Sequence, residues 1–158
     1  MFSIFKKKSV FKYDFIDDIK DAIMFIGLTD DEVKQYQADF IDKFGVSLPD
    51  EVGEFLEITN GIYKNDMHLF SKFKEEMLES FPRLKSKNID IIEFNDNYRM
   101  LTDIDDYIIL GKDNISYFVY DINNKKYYVL SSGCLEIMNE YDELYIMIRE
   151  IVTGDIYK

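Results

Sequence analysis

The chain has 158 residues and a formal net charge of −12, from 31 acidic and 19 basic side chains, and it is 47% hydrophobic and 16% aromatic. So much apolar content excludes a disordered chain, and the length suits a single domain, 1–158, that buries roughly two-thirds of its unfolded surface. One cysteine, Cys134, excludes an internal disulfide and a cysteine-rich zinc site, and the acidic balance makes nucleic acid an unexpected partner.

Residues 1–10 read as a short arm with three consecutive lysines, Lys6 to Lys8. No apolar run of secretory or membrane-spanning length follows, so a cytoplasmic protein without membrane contact is expected. From Asp14 to Ile26 the spacing predicts an amphipathic helix, with Phe15, Ile19, Ala22, Ile23 and Ile26 on one face. Asp14, Asp17, Asp18 and Asp21 fall at i, i+3, i+4 and i+7 on the other face, either as a solvated surface or as an acidic ridge for a basic partner. Thr29 to Glu32 has the pattern of a capping box, and Val33, Tyr36, Phe40, Ile41 and Phe44 follow at helical spacing up to Gly45.

The run LPDEVGEFLEITNG predicts a third helix. Pro49 suits the first helical position, and Leu48, Val52, Phe55 and Leu56 form its apolar face. Asp50, Glu51, Glu54 and Glu57 lie opposite, and Asn60-Gly61 is read as the stop and turn. Thr29 to Glu57 carries nine carboxylates against two lysines, the most acidic part of the chain. A strand is expected near Asp66–Phe70, an irregular or short helical insert over Ser71–Ser80, a loop at Lys85–Lys87 and a helix over Ile89–Tyr98. Tyr107–Leu110 reads as a strand. Ile115–Tyr120 and Tyr127–Leu130 read as a hairpin turning at Ile122–Lys125, where Asn123-Asn124 tolerate left-handed geometry. A strand near Leu135–Met138 and a helix over Asp142–Val152 complete the pattern.

The order of the Leu-Pro helix and the Gly111-to-Tyr120-Asp121 strands resembles the SUKH superfamily, which includes bacterial toxin-immunity proteins and yeast regulators of the Smi and Knr type. Leu48-Pro49, Phe55-Leu56 and Asn60-Gly61 carry the helical half of the likeness. Gly111, followed by a strand ending at Tyr120-Asp121, is similar to the YrhA-like branch. The resemblance implies an α+β fold, with N-terminal helices and a C-terminal helix packed on a mainly antiparallel sheet of about four to six strands. It also implies a binding role and brings no catalytic residues.

The chain itself nominates no chemistry. His68 is the only histidine and sits in a strand pattern, where it should point away from Met67 and Leu69. Cys134 lacks a nearby activating base. Asp103, Asp105 and Asp106 lack the spacing, glycine and distal glutamate of an EF-hand loop, and Gly111-Lys112 is not a phosphate cradle. No metal, cofactor or catalytic residue is therefore expected. The expected function is immunity: a non-enzymatic protein, a monomer or weak dimer, that neutralises a basic toxin domain such as a nuclease. Asp14, Asp17, Asp18, Asp21, Asp50, Glu51 and Glu54 would supply the field, and Tyr98, Tyr117 and Tyr127 the aromatic anchors. The alternative is an intracellular interaction or scaffold module without a toxin.

Overall fold

Seven strands form one antiparallel sheet in which each strand lies beside the next in sequence: β1 (Ile23–Ile26), β2 (Thr59–Lys64), β3 (Met67–Leu69), β4 (Tyr107–Lys112), β5 (Ser116–Asp121), β6 (Lys126–Ser131) and β7 (Ile137–Tyr141). Among the described residues, five α-helices accompany it: α1 (Asp30–Phe44), α2 (Asp50–Ile58), α3 (Glu76–Ser80), α4 (Ile91–Thr102) and α5 (Leu144–Thr153). The computed structural model describes residues 12–86 and 88–157, with 85 and 86 by backbone alone. The arm expected at 1–10 and Lys87 lie outside the described residues. The α+β class is the one anticipated, with a sheet wider than four to six strands.

The first helix expected from the sequence is not there. Asp14–Asp18 makes a 3-10 turn, Asp21 takes φ 59°, and Ile23–Ile26 pairs with β2 instead. Four aspartates on one helical face repel one another, and the run Ala-Ile-Met-Phe-Ile gains more as a strand than as a helix. Ile26, assigned to an apolar helix face, is 93% exposed.

The capping box forms as predicted: the Glu32 N–H donates to Thr29 Oγ1 at 3.2 Å, and the Thr29 N–H donates to Glu32 Oε1 at 3.1 Å. Pro49 occupies the cap position rather than the first helical position, and its carbonyl accepts from the Val52 N–H at 3.0 Å. The helix ends at Ile58, so Asn60-Gly61 does not stop it. Both residues belong to β2, which the turn reading had hidden. Asn60 is buried and makes paired 2.8 Å bonds with the Lys72 backbone, donating to its carbonyl and accepting from its N–H. Gly61 follows at φ 95°, a region that L side chains rarely enter.

Partners across the ladder define two faces. Ile108, Phe118, Val129 and Tyr127 share one, which is closed by α2 and α5. Ile109, Val119, Tyr117 and Leu130 share the other, where Phe94 and Tyr98 of α4 meet the Tyr117 ring. Alternation sets His68 opposite Met67 and Leu69, beside Tyr63 at 4.2 Å between ring centres. Gly111 lies where β3 and β4 meet, and a Cβ there would come 2.4 Å from the His68 carbonyl oxygen. At the hairpin turn, Asp121 accepts from the N–H groups of Asn123 and Asn124 at 2.9 and 3.0 Å. The left-handed residue is Lys125, not either asparagine. Leu135 is likewise a turn residue at φ 57°, and Cys134 is exposed in that turn before β7 begins.

Candidate protein-binding surface

The N-terminus of α2 organises the acidic residues. Asp50 is exposed and Glu54 half-buried, while Glu51 turns inward. Its Oε2 accepts from the Leu144 N–H at 2.9 Å and its Oε1 from the Tyr127 hydroxyl at 3.3 Å. Leu144 opens α5, whose own cap residue, Glu143, makes no side-chain cap. Glu51 therefore serves the fold, joining α2 to α5 and β6 with both carboxylate oxygens engaged.

Tyr13 brings in the second group. It is buried between Phe55 and Tyr145, at 5.7 and 6.5 Å between ring centres. Burial, and then the nearby Glu51 and Glu54 carboxylates, hold its hydroxyl pKa above the ordinary value. The 3-10 turn that follows carries Asp14, Asp17 and Asp18, all exposed, alongside α2. Asp142 and Glu143, also exposed, enter from the start of α5. Three acidic elements far apart in sequence thus meet through the Tyr13–Phe55 and Tyr13–Tyr145 ring contacts and the Glu51–Leu144 bond. Two cations moderate the field: Lys12 stands 5.4 Å from the Tyr145 ring centre, and Lys126 pairs with Glu140 and Asp142 at 3.2 and 3.5 Å. Asp21 is exposed but belongs to the turn leading into β1.

The tyrosines fall differently from expectation. Tyr127 is 2% exposed, with its ring tilted against Tyr120 at 5.1 Å and its hydroxyl bonded to Glu51, so it is a core residue and not an anchor. Tyr120 remains half-buried, with its pKa raised by burial first and then by Glu51 and Asp121. Tyr98 and Tyr117 are half-buried and meet edge-on at 5.6 Å beneath α4. They form an aromatic seam of α4 and β5, apart from the acids on α2. Of the motif residues, Leu48, Phe55, Leu56, Asn60, Gly61, Gly111 and Asp121 are buried, Pro49 and Tyr120 are half-buried, and all serve packing or turns.

Sequence reasoning missed the exposed apolar residues. Met100 and Leu101, at the end of α4, are 75% and 85% exposed, and Ile26 more so.

Among the described residues, no three His, Cys, Asp or Glu side chains group to hold a metal ion. A cleft of about 450 Å³ lies between the β2–β3 and β4–β5 turns and the end of α5. There the Tyr157 hydroxyl donates to the Asp113 carboxylate and lies 2.9 Å from Ser116 Oγ. Burial, and then that carboxylate, push the Tyr157 pKa up to about 12, which leaves it a proton donor and not a base. Among the described residues, no helix is long and apolar enough to cross a membrane. Comparison with known proteins returns no matching family model and no matching curated protein.

Proposed function

We propose that this chain is a non-enzymatic immunity protein that binds a basic toxin domain and blocks its active cleft. One observation carries the reading: Tyr13 packs against Phe55 and Tyr145, which sets the acidic 3-10 turn, the N-terminal part of α2 and the start of α5 side by side. A nuclease-type toxin holds phosphates in a positive cleft, and a rigid acidic surface competes for that potential while speeding encounter. The residues facing the partner are Asp14, Asp17, Asp18, Asp50 and Glu54, with Asp142 and Glu143 added and Glu51 and Tyr127 withdrawn. The likeness of Leu48-Pro49, Phe55-Leu56, Asn60-Gly61 and Gly111 to SUKH proteins supports the same role. In this reading the protein works in the cytoplasm as a monomer or weak dimer, without cofactor.

The test is co-expression with the product of the adjacent gene. Rescue of growth together with co-purification of a basic protein supports neutralisation. A binding partner that is not toxic moves the chain to the alternative, an interaction module of the Smi and Knr type, and a partner that is acidic removes the electrostatic basis.

A further inference from the structure

β1 is the outermost strand on one side of the sheet, and its residues Ile23, Met24, Phe25 and Ile26 include no charge and no proline. Edge strands are ordinarily guarded by charge, proline or a covering element, because their unpaired N–H and C=O groups template further pairing. β7, at the opposite edge, is guarded in this way: Glu140 and the following Asp142 hold Lys126 beside it. Both edges expose apolar side chains, Ile137 and Met138 on β7 and Met24 and Ile26 on β1, but β1 has no charge of its own and leaves Ile26 93% exposed.

A groove of about 430 Å³ runs beside β1. Met24, Phe25 and Ile26 of this outermost strand line it, together with Asn60 of β2. Its other wall is α3, where Met77 is buried and the Phe81 ring after the helix stands edge-on to Phe25 at 5.7 Å. Glu76 and Glu79, both exposed, lie on its rim; Lys74 also lines it, held between Glu32 and, at 3.8 Å, Glu76, so Glu79 is the rim carboxylate without that cation. The acidic turn at Asp17, Asp18 and Asp21 leads directly into the strand.

We propose that the groove between β1 and α3 receives an extended segment of the basic partner as an eighth strand, with apolar side chains on Met24, Ile26 and Met77 and lysines or arginines toward Glu76 and Glu79. This rests on the basic partner of the preceding section and names the part of it that is held. Main-chain bonding to the edge supplies affinity, and the alternating pockets and carboxylates supply selectivity. Roughly three to four residues, at about 3.3 Å each, match the length of β1. A second copy of this chain fits less well: its β1 brings no cation for Glu76 and Glu79, and pairing would set the same carboxylates of two copies near each other.

The test uses the isotope-labelled full chain and a ten-residue peptide alternating lysine and valine, with a glutamate–valine peptide as control, read by amide chemical shifts. The expected result is perturbation of Met24 to Ile26 and of α3 by the lysine peptide alone. Binding should weaken about tenfold in the Glu76→Lys, Glu79→Lys double variant, the scale of two lost rim contacts. Equal response to both peptides, shifts confined to β7 or α2, or concentration-dependent shifts at β1 without peptide (a second copy in the groove) each overturn the proposal. Growth rescue with a silent β1 overturns the groove and keeps the immunity reading. A peptide held at β1 without rescue keeps the groove and removes that reading.

Discussion

Glu51 accepts a hydrogen bond from the backbone N–H of Leu144, 93 residues further along, at 2.9 Å. α5 is thus capped by a carboxylate from α2, and the Tyr127 hydroxyl completes the junction at 3.3 Å. Replacing a cap of this kind costs about 1–2 kcal/mol, and an orphaned buried hydroxyl adds about 1 kcal/mol or more. Glu51→Ala should therefore lower unfolding free energy in urea by about 2–3 kcal/mol. Glu51→Gln, which keeps one acceptor oxygen, should lose about half as much. Equal losses would mean that the carboxylate acts only by filling space.

Gly111 is fixed by approach, not by backbone strain. An added Cβ would sit 2.4 Å from the His68 carbonyl and 3.0 Å from Phe118, whose ring is fully buried. Gly111→Ala should cost about 1–3 kcal/mol, the range for overpacking a tight site, and should shift the amide resonances of His68 and Leu69 first.

Asn95 is buried at 1% exposure and binds β4 through its amide. It accepts from the Ile109 N–H at 2.7 Å and donates to the Ile109 and Ile91 carbonyls, each at 2.8 Å. Asn95→Ala leaves a buried N–H and carbonyl unpaired, at a cost of about 1–3 kcal/mol each before relaxation. Loss of α4 docking should appear as faster hydrogen exchange at Ile109 with little change at Val129.

Sequence pattern located these pieces unevenly. α1 was legible because Thr29 and Glu32 cap it and its apolar residues keep one period. α2 was legible from Leu48 to Leu56, as was the β5–β6 hairpin. β1 was not, because Ile19, Ala22, Ile23 and Ile26 also fit a helical stripe, and only pairing with β2 decides the matter. β2 was hidden because Asn60-Gly61 has turn chemistry, yet here Asn60 clamps the Lys72 backbone. The acidic surface was readable as charge along the chain. That Glu51 and Tyr127 leave it was not readable, since their bond to each other and to Leu144 spans distant elements. Their charge and aromaticity look the same in sequence whether spent inside or offered outside.

Glu32 links the α1 cap to the segment before α3. A hydrogen bond from Lys74 is the largest cause, followed by the Thr29 N–H, and together they lower its pKa from 4.5 to about 2. A carboxylate depressed on folding adds stability that is fully present above its unfolded pKa and is lost as pH falls toward the folded value. Stability should therefore decline between pH about 4.5 and about 2 more steeply in the wild type than in Glu32→Gln. Parallel acid profiles for the two proteins would show that the Glu32–Lys74 pair contributes nothing to folding.

Electrostatic capture of a basic partner is the centre of the functional reading. Its most direct measurement is the association rate of the purified chain with the basic toxin domain recovered by co-expression, followed by stopped flow from low to high salt. Steering by Asp14, Asp17, Asp18, Asp50 and Glu54 predicts a rate that falls at least about tenfold as salt rises, with dissociation changing little. The combined Asp17→Lys, Asp50→Lys and Glu54→Lys variant should begin slow and show little salt dependence. A wild-type rate indifferent to salt and unchanged by those reversals would contradict capture by this surface.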